Sequence, residues 1–405
     1  MKITIEKGEL AVPYNPTIPF IEGDGIGVDI TPAMRRIVDA SVKEAYGGKR
    51  KIDWLELLAG EKGQDKRGEP LPEVTIQSLR EHRVSIKGPL TTPVGSGFRS
   101  LNLAIRQILD LYAIVRPVYW VEGVPSPMVH PEKMDMVIFR EGTEDLYAGI
   151  EWKVGSEESR KLVRFLREEF GIELRSDSGI GLKPMSEFRS KRLVRKAIGY
   201  ALKNGRRSLT LVHKGNIMKF TEGSFKEWGY EVAREEFADN IINDDEVMDG
   251  WVPKGKVIIR DRLADNMLQQ LLTRTDEYDV IATTNLNGDY IADAASGQVG
   301  GLGVVPSGNL GDGMMVFEAT HGSAPKYAGQ DIANPIALTL AARLMLEQIG
   351  WTKAAELIYA GIAEAIKGKA VTPDLARQMS GAREVGTSEF ADIVIESIKN
   401  IKIAD

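Results

Sequence analysis

The chain has 405 residues, 43% hydrophobic and 27% charged, with a formal net charge of −6. That length exceeds the roughly 250–300 residues at which a single core stops growing, so a second domain is expected, and the negative balance argues against a general nucleic-acid or membrane-surface role. Cysteine is absent, which excludes disulfides, thiolate nucleophiles and zinc–sulfur sites, and the four histidines (His82, His130, His213, His321) lack HxxxH spacing, so any resident metal should be oxygen-ligated.

The opening MKITIEKGEL lacks an apolar signal core, and no uncharged apolar run reaches the ~18 residues of a membrane span. A soluble, cytoplasmic protein is expected. A first strand is predicted over Thr17–Ile21, followed by Gly23-Asp-Gly-Ile-Gly and a helix entered at Thr31-Pro32, a good cap with proline in the first turn. Ile30, Met34, Ile37, Val38 and Val42 form its apolar stripe, and Gly47-Gly48 ends it. Glycines at 23, 25 and 27 miss the dinucleotide fingerprint, whose third glycine would fall at Val28. A tight structural turn is the better reading, not a Rossmann site.

Further strands are predicted near 52–58, 83–88, 111–118, 134–140, 208–213, 256–260 and 278–284. Helices are predicted over 73–82, 101–109, 157–169, 187–203, 222–236, 263–273, 335–349, 353–367 and 388–399. Such alternation implies an α/β fold with a mostly parallel sheet and helices on both faces. Gly171 to Pro184 reads better as a β-ribbon, and no internal repeat or low-complexity linker interrupts the chain.

Two groups of residues carry chemistry. The loop Lys87-Gly-Pro-Leu-Thr-Thr-Pro-Val-Gly-Ser-Gly-Phe-Arg-Ser-Leu-Asn leads into a helix bearing Arg106, while Arg116 and Arg140 are placed at strand ends. Planar guanidinium forks that converge on one crevice suit a polycarboxylate. Asp289 and Asp293 lie four apart on a helix expected to begin at Asp289, just beyond a short β-branched strand. Two carboxylates on one helix face suit a hard divalent cation, Mg²⁺ or Mn²⁺, although acids so spaced are more often a solvated face. Together the arginines and the acids imply an oxygen-rich organic acid that chelates a cation.

The blocks IEGDGIG, KGPLTTPVGSGFRSLNLAIRQ, VIFREGTEDLYAGIEW, VHKGNIMKFTEG, NLNGDYIADA and EATHGSAPKYAGQDIANP occur in order along nearly the whole chain. With them the chain resembles the decarboxylating β-hydroxyacid dehydrogenases of the isocitrate/isopropylmalate dehydrogenase family. The resemblance implies a large cofactor-binding domain (1–111 and 300–405), a small domain (112–144 and 185–299) and a dimer clasp (145–184), in a homodimer with shared active sites. It implies oxidative decarboxylation of isocitrate to 2-oxoglutarate with reduction of NADP, a step of the tricarboxylic acid cycle. Arg106, Arg116 and Arg140 would hold substrate carboxylates, with Ser100 and Asn102 as polar partners where isopropylmalate enzymes are apolar. Asp289 and Asp293, with Asp265 of the partner subunit, would serve the metal. Tyr147 and the partner subunit's Lys214 would move protons.

For the cofactor the resemblance implies Thr91, the run His321, Gly322, Ser323, Ala324, Pro325, Lys326 and Tyr327, then Asn334 and Arg377, with Arg274 of the partner subunit. Lys326, Tyr327 and Arg377 suit a 2′-phosphate, whereas NAD-preferring relatives tend to place an acid at the Lys326 position. Pro373 stands where the NADP-type pattern has tyrosine. Homoisocitrate or isopropylmalate oxidation, and a non-catalytic regulatory subunit, are the alternatives; the latter would be expected to lose Tyr147, Lys214 or a metal ligand, and all are present.

Overall fold

The computed structural model describes residues 1–91, 100–247 and 252–402. Eleven strands form one sheet: Thr17–Ile21 (β1), Asp53–Glu56 (β2), Val84–Lys87 (β3), Ala113–Tyr119 (β4), Asp135–Glu141 (β5), Ser208–His213 (β6), Ile241–Asn243 (β7), Val257–Leu263 (β8), Val280–Thr283 (β9), Pro306–Leu310 (β10) and Met315–Ala319 (β11). Their order is β7-β8-β6-β9-β5-β4-β10-β11-β3-β1-β2. The five strands from β7 to β5 run parallel, as do the four from β11 to β2. Antiparallel pairing of β4 with β5 and β10, and of β10 with β11, joins the two blocks. The expected mostly parallel sheet is therefore found, with a seam at its centre.

Strands β3, β6 and β9 are buried at every residue, as covering both faces of a parallel sheet requires. Helices Gly27–Tyr46, Ile336–Gln348, Thr352–Lys367 and Thr387–Asn400 pack together over one block, and their apolar faces form the largest core cluster. Helices Glu187–Lys203 and Glu222–Glu236 cover the other block, where Leu193, Ala197, Leu211 and Phe225 meet in a second core.

Four expectations need correcting. The first long helix begins at Gly27, a turn before Thr31, and the Thr31 hydroxyl donates to the Glu22 carbonyl at 2.7 Å instead of capping. Its entry is set by the glycine turn, where the Ile26 N–H donates to the Ser323 carbonyl at 2.8 Å. The helix carrying the aspartate pair spans Asn285–Gln298, so Asp289 and Asp293 sit in its second and third turns. Arg116 lies mid-strand in β4, because the edge of that strand continues through Pro117 to Tyr119. The ribbon near 171–184 shrinks to a two-residue ladder of Glu151–Trp152 with Ile180–Gly181, flanking a helix over Glu157–Phe170.

Strands β10 and β11 have no counterpart among the predicted elements. Pro306, Ser307, Gly308 and Asn309 read as turn formers, yet all four are buried in the sheet. Gly308 faces the Phe317 ring of the next strand, where a Cβ would lie 3.1 Å from a ring carbon.

Candidate active site

The seam of the sheet sets the site. Antiparallel register places Arg116 opposite Ile138 and Arg140 opposite Ile114, so both arginines project from the same sheet face. Arg140 is 2% exposed, its Nε donating to Asn285 Oδ1 at 2.8 Å and another nitrogen pairing with Asp289. Tyr147 donates its hydroxyl to the second oxygen of Asp289. Arg116 donates to Asp293 Oδ1 at 2.8 Å and stands 3.7 Å from Asp289. Burial and the neighbouring Arg116 pull the Arg140 pKa down to about 10. Burial, reinforced by the bond to Asp289, pushes the Tyr147 hydroxyl above its ordinary value, so it stays protonated at neutral pH. Burial alone would raise the Asp289 carboxyl; Arg140, Tyr147 and Arg116 outweigh it and hold the group below the usual range.

Arg106 approaches from the last turn of the Leu101–Ile108 helix and reaches β10 and β11. Its guanidinium donates to Asn309 Oδ1 at 2.8 Å and to Glu318 at 3.0 Å. Glu318 also pairs with Lys87 at 2.5 Å, and both members of that pair are buried. Ser100 precedes the helix without capping it through its side chain, and the buried Asn102 Oδ1 has no partner among the described residues.

Lys214 and Asp265 lie elsewhere. The Lys214 ammonium bonds Asp265 at 2.5 Å, and both side chains are accessible. Among the described residues of one chain, no three acidic or histidine side chains converge as a metal site would need. Asp289 and Asp293 thus offer two hard carboxylates, a donor set that fits a divalent cation once a further ligand is supplied. Asp293 is half exposed and open to it.

A separate cleft of about 500 Å³ is lined by Ile26, Gly303, His321, Tyr327, Asn334, Pro373, Asp374 and Arg377, among others. The glycine turn supports its wall: a Cβ on Gly25 would lie 2.0 Å from the Ser323 carbonyl oxygen. Asp24 accepts the Thr91 N–H at 2.7 Å, and the Thr91 hydroxyl lies 2.7 Å from that of Ser323. A turn that braces the loop, not one that wraps a pyrophosphate itself, is what these contacts make. Ala324 adopts a left-handed φ of 39°, after which Pro325–Tyr327 form one tight turn. The His321 imidazole has Nδ1 2.9 Å from the Gly322 carbonyl, while its buried Nε2 lacks a partner among the described residues. Burial lowers its pKa, so the ring is neutral near pH 7, with Nδ1–H donating and Nε2 left as an open acceptor. That orphan acceptor fits a ligand with an N–H donor, such as a purine amine. Lys326 and Gly322 are exposed beside the cleft, and Lys326 sits 4.5 Å from the Tyr327 ring centre. Arg274 pairs only loosely with Glu277, at 3.8 Å.

Asn285, Asn309, Glu318 and Asp374 were not singled out from the sequence. Asp374 holds the Asn334 amide at 2.9 Å inside the cleft. Asn285 does sit two residues past the β9 run, a strand-end position that marks ligand crevices in open sheets.

Arginines gathered around a paired-aspartate helix, with a cofactor-sized cleft beyond them, belong to a metal-assisted oxidoreductase of organic acids. A model of the isocitrate/isopropylmalate dehydrogenase family matches residues 17–394, and the chain belongs to that family. It is 57% identical over 403 residues to the isocitrate dehydrogenase (NADP) of Archaeoglobus fulgidus, covering 99% of this chain and 97% of that one. A relative of the same name from Pseudomonas aeruginosa is 56% identical over 402 residues, covering 97% of this chain and 96% of that one. Among solved structures, isocitrate dehydrogenase from Methylococcus capsulatus matches with a TM-score of 0.79 at 36% identity, covering 95% of this chain and 99% of that one.

Proposed function

We infer that this protein oxidises isocitrate with NADP and decarboxylates the product to 2-oxoglutarate and CO₂, with Mg²⁺ or Mn²⁺. The observation that carries the residue assignments is the Asp289 carboxylate, which gathers Arg140, Tyr147 and Arg116 at one point.

In this reading Arg106, Arg116 and Arg140 bind the substrate carboxylates through charge-assisted hydrogen bonds. Asn102 and Ser100 take a third carboxylate; an alkyl group there would leave buried polar atoms unpaired, at about 1–3 kcal/mol each. Isocitrate is thereby favoured over isopropylmalate. Asp289 and Asp293 would hold the divalent cation with Asp265 of the partner subunit; Arg140 and Arg116 keep the Asp289 carboxylate ionised, and Arg116 also orients Asp293. When bound, the cation withdraws charge from the substrate's hydroxyl and carboxylate oxygens, and NADP supplies the hydride acceptor. The partner subunit's Lys214 receives the hydroxyl proton. Tyr147, protonated and 4.7 Å by ring centre from Arg140, delivers a proton to carbon after CO₂ departs. His321, Asn334, Tyr327 and Arg377 line the cofactor cleft, with Thr91, Gly322, Ser323, Ala324 and Pro325 forming its rim. Lys326, with Arg274 of the partner subunit, completes the 2′-phosphate contacts; Pro373 contributes none.

Two features support a homodimer that shares its sites. One chain supplies only the Asp289 pair of acids, with Asp265 held apart on Lys214. Large apolar side chains also stand exposed around Lys214 and the 145–184 segment, including Phe220 at 90% and Phe170 at 64%. We likewise propose the division into a large domain (1–111, 300–405), a small domain (112–144, 185–299) and a clasp (145–184), and a cytoplasmic location. Among the described residues no helix is long and apolar enough to cross a membrane. The direct test is Mg²⁺-dependent formation of reduced nicotinamide cofactor with isocitrate and with isopropylmalate, each with NADP and with NAD. Comparable kcat/KM on both acids would overturn the substrate assignment.

A further inference from the structure

One largely buried cation lies between the Tyr147 turn and the Lys214 loop. The Lys183 ammonium pairs with Asp145 and, at 2.8 Å, with Glu222, and each of these acids is only 1% exposed. Neither acid has another salt-bridge partner among the described residues. Both grip backbone that carries chemistry. Glu222 Oε2 accepts the Lys214 N–H at 2.9 Å and the Asn287 side-chain amide at 2.8 Å. Asp145 accepts the Leu286 N–H at 2.9 Å through one oxygen and the Leu146 N–H at 2.7 Å through the other. Leu286 and Asn287 belong to the first turn of the helix that bears Asp289. Asp145 itself is held at a left-handed φ of 70°, two residues before Tyr147, a conformation that persists only when its surroundings fix it.

The loop bearing Lys214 is also closely seated. The His213 Nδ1 accepts the Gly215 N–H at 2.9 Å, and a Cβ on Gly215 would lie 2.7 Å from the Gly223 Cα, directly beside Glu222. A shift of Glu222 would therefore pass into Lys214.

We propose that Lys183 is a positioning residue: by balancing Asp145 and Glu222 it sets Tyr147 and Lys214 against the Asp289 helix, so both proton-handling groups of a chain depend on one cation. This rests on the reading of Tyr147 and Lys214 as the proton-transfer pair. Without the cation, two buried carboxylates would be left without their counter-charge and would move apart, and the N–H groups they orient would follow. Lys183 is not among the residues that line the cofactor cleft, so NADP binding should be spared.

The absence of native cysteine makes a clean experiment available. Lys183→Cys is introduced into the full-length enzyme, assayed, then alkylated with bromoethylamine to rebuild an ammonium of nearly the same length. The expected result is a kcat at least tenfold below wild type, an isocitrate KM and an NADPH Kd each within twofold, and recovery of most of the lost kcat after alkylation. Glu222→Gln, which keeps its shape and an acceptor for the Lys214 N–H, should lower kcat in the same way and serves if the cysteine variant does not fold. A kcat within twofold of wild type, a parallel loss of NADPH affinity, or complete alkylation without recovery would overturn the proposal. Tyr147→Phe and Lys214→Met are run alongside: wild-type kcat in either defeats the reading of the pair, whereas a normal Lys183→Cys beside two inactive controls defeats only the role of Lys183.

Discussion

The Arg140 guanidinium lies 4.7 Å from the Tyr147 ring centre, and the two side chains bond opposite oxygens of Asp289. A buried cation on one side of a carboxylate and a phenol on the other keep that carboxylate ionised while the phenol stays protonated. On the proposed reading, one residue would thereby serve the metal and orient a proton donor.

Asp289→Asn should therefore be severe without being unfolding. The amide keeps an acceptor for Arg140 but removes one of the three acids proposed for the cation. A kcat loss of at least ~100-fold is expected, with a raised Mg²⁺ requirement. Titration of Mg²⁺ in the NADPH assay checks it; an unchanged Mg²⁺ half-saturation would refute the ligand role.

Glu318 has a different function. It is buried between Lys87 and Arg106, whose charges overcome the effect of burial and hold its carboxyl well below the usual range. Glu318→Gln strands two cations, with an expected destabilisation of about 3–5 kcal/mol by denaturant titration near pH 7. Because the folded value is depressed, this contribution is present above the unfolded carboxyl range and is lost only as pH falls through the lower folded value. The variant should differ least from wild type in strong acid.

Glu144 carries the opposite sign. Burial, with Glu141 nearby, pushes its pKa up to about 7 despite the two hydrogen bonds from Ser186. A raised carboxyl destabilises the fold increasingly as pH climbs from the unfolded value toward about 7, and the penalty is complete above it. Glu144→Gln removes the titration. Its Tm should exceed wild type at pH 8 and converge with it near pH 5; a constant offset at both would contradict this origin.

On the proposed reading, cofactor choice turns on the Lys326 charge beside the Tyr327 ring. Lys326→Asp should reduce the NADP/NAD ratio of kcat/KM by about 10–150-fold, the worth of one charge-assisted hydrogen bond. An unchanged ratio would remove Lys326 from the proposed phosphate contacts.

Much of this was legible in the chain. Periodicity located the long helices, with 187–203, 222–236 and 73–82 reproduced end to end. Asp289 and Asp293 do share one helix, though it begins four residues earlier than expected, and the glycine run at 23–27 forms a tight turn, both being local in sequence. Strand β10 was not legible, because Pro306 through Asn309 are chosen for a close approach to Phe317 and for service to Arg106. Nor were Lys183 and Glu222, which are separated by 39 positions and look like ordinary surface charges until the fold buries them together. Arg116 was found but misplaced, since an antiparallel strand inside a parallel sheet leaves no mark on a seven-residue run.

Shared construction of the site is tested most directly by subunit exchange between Tyr147→Phe and Lys214→Met enzymes, each nearly inactive alone. A two-fold dimer with Tyr147 from one subunit and Lys214 from the other regains one intact site per hybrid, so a statistical mixture should reach about one quarter of wild-type specific activity. Proven hybrids that stay inactive would mean that both residues serve the same chain, and the shared site would have to be abandoned.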